Sequence, residues 1–237
     1  LSFANEIMKT APERFRKRLV TSRKSHGKPK LIICRDSEDQ ARFIAEEILE
    51  LRERGIPLSE IGVLYRSHRN SLEVELALNS YGIPYEIRGG LRFMEQAHIK
   101  DIVSFLAVLS NPRDEVSFSR VIDMCEHVGS VTISRIFERI KKSGNPLEEF
   151  ISPDTCALAR GAGRKSIEEL RLLMRKLADM KKNGGSVAQL LNLAYELFYA
   201  ERLEAKYPDQ LDRKEDIAQL MVFAKRFRSL NSFLSEI

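Results

Sequence analysis

Tryptophan is absent from this sequence, and its three cysteines, Cys34, Cys125 and Cys156, form no Cys-x-x-Cys pair. An odd number of distant cysteines argues against a disulfide framework or a cysteine zinc site, so reduced thiols and a cytoplasmic setting are expected. The histidines, His26, His68, His98 and His127, are equally scattered, and no metal site is expected. No apolar run approaches the roughly 18 residues that span a bilayer, so no membrane partner is expected. The opening Leu1-Ser2-Phe3-Ala4-Asn5-Glu6 has none of the basic, apolar and cleavage regions of a signal peptide. It also lacks an initiator methionine, and Phe233-Leu234-Ser235-Glu236-Ile237 stops inside an amphipathic pattern. Both ends read as cut, and an internal piece of a longer chain is the expectation. A phosphate-binding loop is missing too. The nearest stretch, Arg160-Gly161-Ala162-Gly163-Arg164-Lys165-Ser166, has Arg164 and Ala159 where that loop requires glycines, and no strand precedes it. It reads as a basic loop between helices, and no catalytic residue is assigned anywhere in the chain.

What remains is an ordinary globular composition. Hydrophobic residues make up 43% and charged residues 31% of 237 positions, enough for one or two domains with their own cores. The net charge of +5 leans toward a polyanionic partner. The basic run from Arg14 to Lys30 reads as solvated surface.

The first half alternates two periods. Lys30-Leu31-Ile32-Ile33-Cys34 is an apolar, β-branched run and reads as a buried strand. Ser37 and Gln40 then suggest a capping box, with Ala41, Ile44, Ile48 and Leu51 at helical spacing until Gly55-Ile56-Pro57. Ile61 to Tyr65 reads as a second strand, Ser71 to Tyr81 as a second helix, and Tyr85-Glu86-Ile87-Arg88 as a third strand. Strand, helix, strand, helix, strand predicts right-handed crossovers and a parallel sheet, hence an α/β lobe.

After Glu95 the period is helical throughout. Ile99, Ile102, Val103, Leu106 and Leu109 form one stripe, ended by Asn111-Pro112. Ser166 with Glu169, Ser186 with Gln189, and Asp212 with Glu215 each look like a helix start. An all-helical domain is therefore expected over residues 110–237, after an α/β lobe over residues 1–109. Asn111, Pro112 and Arg113 are the expected hinge, because Pro112 disfavours helix at the residue before it.

Three places could carry chemistry. Arg66-Ser67-His68 follows an expected parallel strand at its carboxyl end, where α/β sheets place their ligands. Arg92 and Phe93 follow Gly89-Gly90, a pair that permits positive φ or close backbone approach. Two cationic tips and an aromatic ring suit a single-stranded nucleic acid, with phosphates on the arginines and a base stacked on Phe93. The competing reading places Phe93 in the core and pairs Arg92 with Glu95 or Asp101. The third place is Val128-Gly129-Ser130, a tight turn opening a helix, whose free N–H groups could hold a duplex phosphate.

Leu64-Tyr65-Arg66-Ser67, Gly89-Gly90-Leu91-Arg92-Phe93-Met94-Glu95 and Ile99-Lys100-Asp101 fall in an order and spacing that closely resemble the middle of UvrD/PcrA/Rep-type superfamily 1 DNA helicases. The chain departs from that pattern at His68, where the family usually has Asn, and at Leu72, where it has Arg. The turn at Val128-Gly129 resembles the family's helix-hairpin-helix turn, usually Gly-Ile-Gly, with His127 in the first glycine's place. The resemblance implies part of the second RecA-like motor lobe, followed by most of the inserted helical domain. It implies a parent similar to 3′–5′ DNA translocases, with ATP and Mg2+ bound by the parent and neither by this piece. The implied partner is DNA, as a single strand and as a single-strand/duplex junction. Two other readings stay open: a helicase–nuclease of the AddA/RecB kind, and a non-catalytic DNA-binding or protein-docking module.

Overall fold

The computed structural model describes residues 1–9, 18–22, 27–66, 70–88 and 92–237. They fall into two compact units, Leu1–Arg35 and Asp36–Ile237. In the first unit the only helix among the described residues is α1 (Ser2–Lys9). The Asn5 amide brackets the Leu19 backbone there, donating to its carbonyl and accepting from its N–H, each at 2.9 Å.

The second unit begins with α2 (Ser37–Glu53) and α3 (Ser71–Ser80). Asp36, one residue before the expected cap, accepts from the Asp39 N–H and so starts α2. Gly55, at φ 87, ends it, a left-handed conformation that glycine adopts without steric cost. Ala45 and Ile48 of α2 pack with Leu78 of α3 and with Ile83 in a small apolar cluster.

The rest is helical. α4 (Ala97–Ser110) is its axis, with Ile99, Ile102, Phe105, Leu106, Val108 and Leu109 all buried. Around it lie α5 (Glu115–Asp123), α6 (Ser130–Lys142), α7 (Pro146–Phe150), α8 (Pro153–Cys156) and α9 (Gly161–Lys182). They are followed by α10 (Val187–Ala194), α11 (Ala200–Lys206), α12 (Gln210–Ala224) and α13 (Leu230–Glu236). A π-helical turn, Tyr195–Tyr199, joins α10 to α11, and Tyr199 donates its hydroxyl to buried Asp101 at 3.1 Å. Arg120 of α5 (2.8 Å) and Lys206 of α11 (3.5 Å) reach the same carboxylate. Asp101 thus anchors α4 to its neighbours. The capping box at Ser186 and Gln189 forms reciprocally, as its spacing suggests.

The expected α/β lobe with a parallel sheet is not what forms. Among the described residues there is no strand, and the fold is all-helical. Lys30–Cys34, Ile61–Tyr65 and Tyr85–Arg88 have no regular secondary structure and join no ladder. The reason lies in cover: Leu31 is 87%, Ile33 89% and Leu64 98% exposed. Apolar, β-branched sequence makes a strand only where a neighbour takes its N–H and C=O groups and a layer covers its side chains.

A second correction concerns the start of α9. Residues 161–166 are helical rather than a loop, and Ser166 caps nothing. Its hydroxyl instead accepts the Glu126 N–H at 3.0 Å. The core also runs unbroken from Leu72 to Phe233, so α4 and α5 share it across the expected boundary at residue 110. Among the described residues no helix is long and apolar enough to cross a membrane.

Candidate nucleic-acid interface

Arg66 is exposed at the end of the run Ile61–Tyr65, while Ser67 and His68 lie outside the described residues. α3 follows at once, and its first residues turn inward: Ser71, Leu72, Glu73 and Glu75 are all buried. Glu73 receives both terminal nitrogens of Arg226, at 2.7 and 2.8 Å, which ties α3 to the end of α12.

Glu75 is the more telling carboxylate. Its oxygens accept from the Ser71 hydroxyl at 2.6 Å, from the Phe93 N–H at 3.2 Å and from the Tyr85 hydroxyl at 3.5 Å. Burial raises its pKa, and the three donors and nearby Arg92 oppose that rise. Helical spacing could have revealed it, since Glu75 stands three residues from both Leu72 and Leu78, on the inward face.

Arg92 is exposed, with its guanidinium 4.9 Å from the centre of the Tyr85 ring, a cation–π contact. It pairs with neither Glu95 nor Asp101, the partners its competing reading assigned. Phe93 is a correction. Its ring is 0% exposed and belongs to the main apolar cluster, and its N–H is held by Glu75. A base cannot stack on it here, because burying the ring removes more apolar surface from water than a solvent-facing stack would.

The turn before α6 forms as its sequence suggests. Gly129 stands at the helix N-cap in extended conformation, and Gly129 and Ser130 are exposed while Val128 is half-buried. No side chain caps this helix start, which leaves first-turn N–H groups for water or a ligand. His127 adopts φ 60, the left-handed conformation that a glycine would accept without cost. Gly163 of α9 lies against this turn: a Cβ there would stand 2.5 Å from the His127 carbonyl oxygen. Gly163 and Ser166, both from the stretch set aside as a loop, therefore shape the turn. Nothing in the local sequence pattern pairs them with residues 126–129.

The expected hinge residues connect α4 to α5. Asn111 accepts the Arg113 N–H through its side chain at 3.1 Å, and the Arg113 guanidinium donates to the Ser143 carbonyl at 3.1 Å. Ser110 also reaches Asn231 of α13 at 2.8 Å. With Phe105 and Leu109 packed in one core with Phe118 and Val121, the premise that few apolar side chains cross here is corrected. Motion about Asn111, Pro112 and Arg113 would have to shear packed helices.

This all-helical body, with exposed Arg66 and Arg92 and an uncapped helix start at Gly129, can be set beside known proteins. The family described as UvrD-like helicase C-terminal domain matches residues 1–231, and the chain belongs to that family. ATP-dependent DNA helicase UvrD1 of Mycobacterium bovis is 42% identical over 127 residues, covering 52% of this chain and 16% of the relative. DNA helicase II of Escherichia coli is 37% identical over 124 residues, 52% of this chain and 17% of its own length. ATP-dependent DNA helicase PcrA of Staphylococcus epidermidis is 24% identical over 237 residues, 99% of this chain and 31% of the relative. The chain thus spans less than a third of the length of the relatives it matches.

Proposed function

We propose that this chain is the DNA-contacting part of a 3′–5′ DNA helicase or translocase, with Arg66, Ser67, His68 and Arg92 on the single strand. Val128, Gly129 and Ser130 would hold duplex phosphates. The family match over residues 1–231 carries this reading, and the exposed Arg66, Arg92 and Gly129 are consistent with it. The arginines neutralise phosphates without reading bases, as a translocase moving over any sequence requires. ATP and Mg2+ would serve the parent, in repair or replication restart in the cytoplasm. This chain would bind neither. The glycine-containing basic stretch at residues 161–166 forms the first turns of α9, which offers no loop to wrap a triphosphate.

The test is binding of fluorescent oligonucleotides over a range of salt. Arg66→Ala and Arg92→Ala should each weaken single-strand binding whatever the sequence, and lower the salt slope by about one. Gly129→Asp is the sharper variant. Nothing lies within 4 Å of a Cβ there, so an aspartate should cap α6 and also repel a phosphate. Junction binding should fall while single-strand binding and folding persist. Unchanged affinity in all three variants would overturn the reading.

A further inference from the structure

We propose that Glu75 is a positioning residue for single-strand binding, one buried carboxylate that fixes the place of the Arg92 tip. The proposal rests on the single-strand role assigned above to Arg66 and Arg92.

The geometry is specific. Ser71, the first residue of α3, donates its hydroxyl to Glu75 at 2.6 Å. Phe93 follows Arg92, and its backbone N–H donates to both oxygens of the same carboxylate, at 3.3 and 3.2 Å. Tyr85 donates its hydroxyl at 3.5 Å and carries the Arg92 guanidinium on its ring face. Arg92 is therefore one residue from one donor to Glu75 and in ring contact with another. Phe93, fully buried, provides the fixed end from which Arg92 projects.

All three partners are donors, so the site wants a group that only accepts. An ionised carboxylate is that group. A glutamine of the same size would turn an N–H toward at least one of the donors, leaving a buried group unpaired. A carboxylate buried at such a cost of desolvation is more than a generic helix residue. It is held there by Ser71 of its own helix and by Phe93 and Tyr85, the two residues that flank or carry Arg92.

The experiment measures oligothymidylate binding to the intact 237-residue chain over a range of salt, in wild type, Glu75→Gln, Arg92→Ala and the double variant. Glu75→Gln should weaken binding about tenfold and lower the salt slope by about one, although it removes no positive charge. Arg92→Ala should cost clearly less in the Glu75→Gln background than in wild type, because that arginine is already misplaced. Ile48→Val, which loosens the packing between α2 and α3 without touching the carboxylate, should leave affinity unchanged. Should Glu75→Gln fail to fold, Ser71→Ala removes a single donor and should give a smaller loss with the same non-additivity. Full additivity, or wild-type affinity in Glu75→Gln while Arg92→Ala still weakens binding, overturns the positioning role alone. If Arg66→Ala and Arg92→Ala are both silent in wild type, the single-strand reading falls, and the positioning role falls with it.

Discussion

Residues 36–96 and residues 97–237 are built on different principles. The later stretch is an apolar core in which Phe118 stacks near Phe137 and Phe150, with centroids at 5.1 and 5.3 Å. The earlier stretch has a small apolar cluster of its own, Ala45, Ile48, Leu78 and Ile83, and leaves Leu64 in the open. Leu72 and Phe93 also join the main core, and polar pins add specific ties: Glu73 to Arg226, and Glu75 to Ser71, Tyr85 and Phe93. Apolar packing makes a body rigid without specifying much about single side chains. Buried carboxylates specify particular atoms, and they do so beside the exposed arginines assigned to the single strand.

The comparison breaks most readily in the core. Phe118→Ala should cost about 3–5 kcal/mol, because the rings around it cannot close the hole. Ile83→Ala in the small cluster should cost about 2 kcal/mol, near the lower end for such truncations. Urea unfolding of the two variants measures the contrast, and equal losses would erase it.

The polar pins come next. Arg226→Ala should cost about 2 kcal/mol, because it leaves Glu73 buried without its partner. Adding Glu73→Leu should recover part of that loss in the same unfolding assay. A double variant no more stable than Arg226→Ala would show that the pair's charge is not what matters.

A smaller pair of changes tests the turn that opens α6. Gly163→Ala should cost about 1–3 kcal/mol, since its Cβ would press on the His127 carbonyl. His127→Gly should gain about 0.5–1 kcal/mol by relieving the left-handed backbone. Thermal unfolding reads both, with opposite signs.

The smallest effect is a pH slope. Burial raises the folded-state pKa of Glu75 above its ordinary 4.5. Between the unfolded and folded values the native state holds the extra proton, so its contribution is present at low pH and declines as pH rises through the folded pKa. The stability of Glu75→Gln, measured by urea from pH 4 upward, should lack that decline. Parallel curves for wild type and variant would assign the slope elsewhere.

Much of the later region was legible in advance. Of the stripe from Ile99 to Leu109, Ile99, Ile102, Leu106 and Leu109 are buried as helical spacing requires, and the Ser186 capping box forms. The turn at Gly129 opens its helix where its sequence says. In the earlier region the helices were legible and the sheet was misread, because β-branched runs report what could be buried and say nothing about what covers them. Arg66 and Arg92 are exposed, as cationic tips would be, whereas Phe93, whose ring fits a stacking platform and a core equally well by sequence, is buried. Glu75, Gly163 and Ser166 escaped notice since their partners are distant in the chain or belong to backbone.

By itself the sequence determined several of the longer helices and their apolar faces, the arginine-bearing segments and the family, all of which follow from local period and order. Only the tertiary structure decided that Lys30–Cys34 and Ile61–Tyr65 form no strand among the described residues, that Phe93 lies inside, and that α9 begins early enough to brace the turn at His127. Local propensity acts over a few residues, whereas pairing and burial depend on which distant groups arrive to satisfy them.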